Sequence, residues 1–176
     1  MRKRYRVLVC FLYGSGLAAA QPAPTAVPDN LKPPDAPPVV LKAIGKGQQV
    51  YSCQSSPDQP GKFAWVLKRP EADLLDGQGK KIGRHYEGPT WEARDGSKIT
   101  GEVLERAPSP THDAVPWLLL KTKSAAGAGV LGRVTYIQRL ATVGGAAPAA
   151  GCDEAHSGAE TAVDYQAEYY FYGPRP

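Results

Sequence analysis

Long apolar runs are scarce in this chain. The run from Val7 to Leu17 is too short to cross a bilayer core of about 30 Å, which takes roughly 20 residues. Arg2, Lys3, Arg4 and Arg6 precede it and Ala18-Ala19-Ala20 follow it, so it reads as a secretory signal peptide over residues 1–20, cleaved after Ala20. Cys10, with Val9 before it, does not fit a lipid-bearing cysteine at a cleavage site. No transmembrane segment is expected once the signal is removed, and the destination is the periplasm or the exterior.

An excess of charge is lacking as well. The formal +4 comes from 21 basic and 17 acidic residues, and four of the basic ones lie in the signal. The remainder carries 17 of each sign, which removes the electrostatic case for nucleic acid or an anionic membrane as partner. Cysteine is sparse: Cys10 leaves with the signal, and Cys53 and Cys152 remain, 99 residues apart. A pair in an oxidising compartment predicts a disulfide, worth roughly 4 to 5 kcal/mol for so long a loop in the chain-entropy account. Two free buried thiols are the alternative.

Recognisable catalytic apparatus is also missing. His85, His112 and His156 show no metal-ligand spacing with one another or with a cysteine, so neither a metal nor a cofactor is expected. No Gly-x-Ser-x-Gly or Ser-x-x-Lys occurs. Gly127-Ala128-Gly129-Val130-Leu131-Gly132 has the spacing of a dinucleotide fingerprint, but that motif needs a strand before it and a helix after it. Here the following segment is rich in β-formers, and the run reads as a flexible Ala/Gly loop.

What is present is proline, then strands. Residues 21–40 hold seven prolines, which remove backbone donors and favour extended geometry; this is a linker or an arm lying on the domain. Residues 41–173 then suit one β-rich domain. Gln48 to Cys53 and Phe63 to Leu67 read as strands, and Leu74 to Tyr86 as a hairpin around Asp76-Gly77-Gln78-Gly79. Trp117 to Leu120 reads as a strand buried on both faces, and Arg133 to Leu140 as another. Val163 to Tyr172 puts Val163, Tyr165, Ala167, Tyr169 and Phe171 on one face and Asp164, Gln166 and Glu168 on the other. No long window has a helical period. The expected fold is therefore all-β, a single antiparallel sandwich or barrel, with at most a short helix near Leu41 or over 151–158.

The stretch from His85 to Val103 is the most informative. A two-residue turn at Asp95-Gly96 would set Trp91 against Thr100 and mix core with solvent. A three-residue loop Arg94-Asp95-Gly96, with Gly96 left-handed, instead pairs Trp91 with Ile99 and Glu92 with Lys98.

Several polar residues in these strands are candidates for a site. His85, close in sequence to Glu87 and Asp95, has an acid/base reading and a bland one as a backbone-bonded strand histidine. In Gln138-Arg139, alternation sends one polar residue to the core side, where a charge needs a partner. Arg139 either pairs with Asp95 or Glu92, or faces a cleft and holds an anionic group. Trp65, Trp91, Trp117 and the C-terminal tyrosines offer a stacking surface for a sugar or are core, with Tyr170 and Tyr172 the ones expected to be exposed. The ligand-binding candidates are thus Trp91, Arg139, Tyr170 and Tyr172.

Gly47 to Cys53, His85-Tyr86, Gly88 to Ala93, Asp95-Gly96-Ser97, Pro116 to Leu120, Ile137 to Leu140, Thr142, Gly144-Gly145, Cys152 and the Tyr165 to Tyr172 run together resemble the exported bacterial and fungal family called domain of unknown function 3455, from about Leu31 to Gly173. The resemblance implies secretion and brings with it no activity or site residues; His112 and His156 lie outside its motifs. Two functional classes follow. One is an exported module that binds an unknown small molecule or glycan or associates with the envelope. The other is a small secreted hydrolase or lyase using His85 with Asp95 or Glu87. Oligomeric state has no signature in the sequence.

Overall fold

The computed structural model describes residues 26–56, 58–59 and 61–174; the expected signal peptide lies outside them. Eight strands, β1 (Val39–Ser55), β2 (Phe63–Leu75), β3 (Lys81–Tyr86), β4 (Thr90–Ala93), β5 (Lys98–Ala107), β6 (Trp117–Ala126), β7 (Tyr136–Gly144) and β8 (Glu160–Tyr172), follow one another around a closed ring. Each pairs antiparallel with its neighbours in sequence, and β1 pairs with β8 to close the sheet. The barrel is the all-β alternative the ring selects over the sandwich. Among the described residues helix is confined to 3-10 turns at Asp29–Leu31 and Glu154–His156, the second within the 151–158 segment, while Leu41 lies in β1. Among the described residues no helix is long and apolar enough to cross a membrane.

The predicted hairpin register is present. Trp91 pairs with Ile99 and Glu92 with Lys98, Gly96 has φ +82, and Ala93 N–H donates to Ser97 O across a three-residue loop. Several strands run further than expected, β1 over Val39–Ser55 and β6 over Trp117–Ala126 among them, and in one case two expected pieces merge. Phe63–Leu67 and Leu74–Leu75 belong to a single strand that runs straight through Pro70. The proline is tolerated because β2 pairs with β3 only from Ala72 onward, leaving nothing for its missing N–H to bond on that side.

Inward side chains form the main core, with Leu74, Trp91, Ile99, Ile137 and Phe171 among its members. An outer core covers the opposite sheet face: Leu31, Val39, Leu119, Leu140, Tyr170 and Tyr172 pack together under the proline-rich arm. This explains why Leu118, Leu119 and Leu120 are all buried. It also corrects the expected exposure of Tyr170 and Tyr172, each 4% exposed, since the arm shields a face whose earlier residues are polar.

The two ends of the barrel differ. At one, the β6–β7 connection folds inward and buries Leu131 and Val134 completely or nearly so. Asp95 fastens this plug: its carboxylate accepts from Val130 N–H at 2.8 Å and from Ser97 N–H and Oγ, and Ser97 Oγ accepts from Leu131 N–H. A Cβ on Gly129 would sit 2.2 Å from that carboxylate. The glycine-rich run expected to be a flexible loop is therefore a fitted closure around an aspartate. At the other end, Cys53 of β1 and Cys152 of the β7–β8 loop form the predicted disulfide.

Candidate functional site

Between the plugged end and the disulfide end the lumen holds a cavity of about 530 Å3. Arg139 is its central feature. On β7 it pairs with Leu118 of β6 and Tyr169 of β8, and it points inward because its neighbours Ile137 and Gln138 alternate across the sheet. Gln138 takes the outer face, where its amide donates to Leu31 O and accepts from the Tyr172 hydroxyl. Arg139 is 8% exposed. Its Nε and Nη2 both donate to Pro116 O, at 3.1 and 2.8 Å, which leaves three of its five N–H groups, with the Tyr169 hydroxyl as a further neutral acceptor beside the guanidinium. Among the described residues no carboxylate pairs with it. Glu92 bonds Arg84 and Tyr86 on the outer face, and Asp95 is committed to the plug, so neither is the partner the sequence offered.

His85 and Trp91 form the wall below. The two rings stack with centroids 4.3 Å apart, 8° from parallel, and Tyr169 meets both edge-on. Trp91 fits because Gly101 faces it: a Cβ there would lie 2.9 Å from the indole. His85 Nδ1 lies 2.8 Å from Thr90 O; a carbonyl only accepts, so Nδ1 carries the proton and Nε2 is the free lone pair in the neutral ring. Burial, opposed by that hydrogen bond and helped by the charge of Arg139, pulls the His85 pKa down to about 3. The imidazole is thus neutral at any ordinary pH. Burial raises the Tyr51 and Tyr169 hydroxyls above their usual range, and Arg139 opposes the shift in both. Away from the rim, Arg139 is therefore the permanent positive charge of the cavity wall among the described residues, with neutral groups around it.

Two further polar groups in the cavity wall lack partners. Gln49 is 1% exposed, and neither its amide nitrogen nor its oxygen is bonded; the Trp91 Nε1 is likewise unpaired. Tyr51 donates to Gly145 O at 2.5 Å. Sequence reading missed Gln49 and Tyr51. The same alternation argument that singled out Arg139 applies to Gln48-Gln49, since β1 sends Gln49 inward while Gln48 bonds Asp164 outside.

Of the candidates, His85, Trp91 and Arg139 line one cavity. Asp95 is at the plugged end and does not meet His85. Glu87 is exposed on the β3–β4 corner at the cavity mouth. Tyr170 and Tyr172 lie on the outer face under the arm. The tryptophans share no surface: Trp91 is inside, Trp117 packs beneath the arm, and Trp65 donates to Ala150 O. His112 and His156 are exposed, each on a neighbouring aspartate. Among the described residues no group of three or more His, Cys, Asp or Glu side chains is arranged to hold a metal ion.

Fold and lumen together define a closed up-and-down β-barrel whose cavity holds, among the described residues, one buried cation. The chain belongs to the family described as "Protein of unknown function (DUF3455)", matched over residues 33–173. No curated protein and no solved structure matches it.

Proposed function

We propose that this chain is an exported binding protein that holds one small anionic molecule in its barrel lumen, with the ligand's charge on Arg139. One observation carries the reading: a buried guanidinium with N–H groups to spare faces a cavity and, among the described residues, has no carboxylate beside it. A charge removed from water costs several kcal/mol unless an opposite charge compensates it, and an anionic ligand supplies that compensation. Eight-stranded barrels have room for packed side chains or for one small ligand, and about 530 Å3 falls in the range of small-molecule sites. Gln49 and the Trp91 indole add unbonded polar groups of the kind that fix a ligand's orientation. The Cys53–Cys152 disulfide supports export, because such bonds persist in oxidising compartments.

The hydrolase or lyase alternative asks His85 to act with a carboxylate. A neutral imidazole that resists protonation down to about pH 3, remote from Asp95 and with Glu87 exposed at the cavity mouth, favours the binding reading. Thermal unfolding with a panel of small anions and their uncharged counterparts tests it. A bound anion at 100 times its Kd should stabilise the fold by about 2.7 kcal/mol, and Arg139→Met should abolish the effect. Equal stabilisation by the uncharged compounds, or an unchanged response in Arg139→Met, would refute the reading.

A further inference from the structure

The barrel wall has an opening in its side. β3 and β4 are the two shortest strands, and they leave the upper parts of their neighbours unpaired. β2 bonds β3 only through residues 72–75, and β5 bonds β4 only through residues 98–100. Beyond Gly101, whose N–H reaches Pro89 O, the facing edges of β2 and β5 have no strand between them among the described residues. The cavity reaches the surface there, bounded by Leu67 to Pro70, the Glu87 to Pro89 corner, Val103 and Arg106.

The chemistry of this opening is opposite to that of the interior. Leu67 and Val103 are 48% and 37% exposed on its two sides. The rim cations Lys68 and Arg69 are already paired with Glu160 and Glu71, and Glu87 and Arg106 contribute opposite signs. Arg139, on β7, stands on the far wall of the ring from the β2–β5 gap. Pro70, Leu118 and Leu120 line the same cavity as the guanidinium and the rim residues. Cation deep inside and apolar side chains at the exit fit an amphipathic molecule entering head first.

We infer that the ligand is a monocarboxylate with an extended apolar tail, its carboxylate on Arg139 and its tail leaving the barrel between Leu67 and Val103. The inference rests on the proposed function and adds the class of ligand and its direction. A guanidinium presents parallel N–H groups that match a planar carboxylate, and one unpaired cation calls for one negative charge. A doubly charged head would bring a second negative charge to the depth of Arg139, where no second cation stands among the described residues, since Arg106 of the same lining is exposed at the rim.

Calorimetric titration of the protein with butanoate, octanoate, decanoate, decanol and inorganic phosphate tests this. Affinity should rise with chain length, by up to about fourfold per methylene that leaves water. Decanol should bind at least tenfold more weakly than decanoate, and Arg139→Met should erase that difference. Leu67→Glu combined with Val103→Glu, both at exposed positions, should weaken decanoate at least tenfold and leave butanoate unchanged. Arg139-dependent binding with no gain from chain length, with phosphate matching decanoate, or with no effect of the rim changes would overturn the tail inference while the cavity reading stands. Failure of every anion to bind would overturn both.

Discussion

His85 makes the native state sensitive to mild acid, and the size of the effect follows from its surroundings. In the unfolded chain the imidazole takes a proton near pH 6.5. In the barrel it is buried against Trp91 and Tyr169, its Nδ1–H is used on Thr90 O, and the positive charge of Arg139 acts against its protonation. Its folded pKa of about 3 lies below the unfolded value, so acid favours the unfolded chain. The stabilisation is fully present above about pH 6.5 and is lost as pH falls toward about 3. Linkage then gives a loss of about 2 kcal/mol between pH 7 and pH 5 from this residue alone. Urea unfolding at pH 7, 6 and 5 should show it in the wild type, and His85→Asn, which keeps a donor for Thr90 O, should lack it. The variant should be less stable at pH 7 by about 1–3 kcal/mol, with the gap closing by about 2 kcal/mol at pH 5. Carboxylates common to both proteins cancel in that difference. Parallel pH profiles would mean that the imidazole accepts its proton in the barrel, and the neutral, unreactive His85 described above would be wrong.

Replacing both Cys53 and Cys152 by Ala should cost about 2–5 kcal/mol in urea unfolding, and alkylation of the intact protein without reductant should modify neither. Gly96→Val should cost more than about 1 kcal/mol. Nothing lies within 4 Å of the Cβ position there, so the penalty is one of backbone conformation alone and Gly96→Asn should be mild. Asp95→Ala should destabilise by about 1–3 kcal/mol by orphaning the Val130 amide and should speed hydrogen exchange at Val130 and Leu131. Unchanged exchange at those amides would detach Asp95 from the plug.

The hairpin through Asp95-Gly96 was legible in the sequence because turn chemistry and alternation are local and agree. Closure of the barrel was not. It depends on β1 pairing with β8, from Val39 opposite Tyr172 to Ser52 opposite Glu160, and β1 carries glycine at inward positions 45 and 47 that interrupt the apolar alternation. Pro70 hid the continuity of β2, since a proline counts against a strand unless one edge is free, and that depends on how short β3 is. Arg139 stood out as a charge within an apolar strand, but whether Asp95 or Glu92 met it depended on the end of the barrel that Asp95 occupies and the outer face that Glu92 takes. Tyr170 and Tyr172 follow polar residues on their face. Only the path of the arm, with Leu31 buried beside them, takes them out of solvent, and the seven prolines of residues 21–40 give its extended form without its course.

Arg139 is a buried cation that no carboxylate pairs with among the described residues, and ligand-free stability tests most directly that it has no anionic partner of its own. Urea unfolding of the wild type and Arg139→Met, both stripped of bound small molecules, should give free energies within about 1 kcal/mol of each other or favour the variant. The lost bonds to Pro116 O are offset by relief of an uncompensated charge. A loss of about 3–5 kcal/mol in Arg139→Met is the signature of breaking a buried ion pair and would contradict the claim.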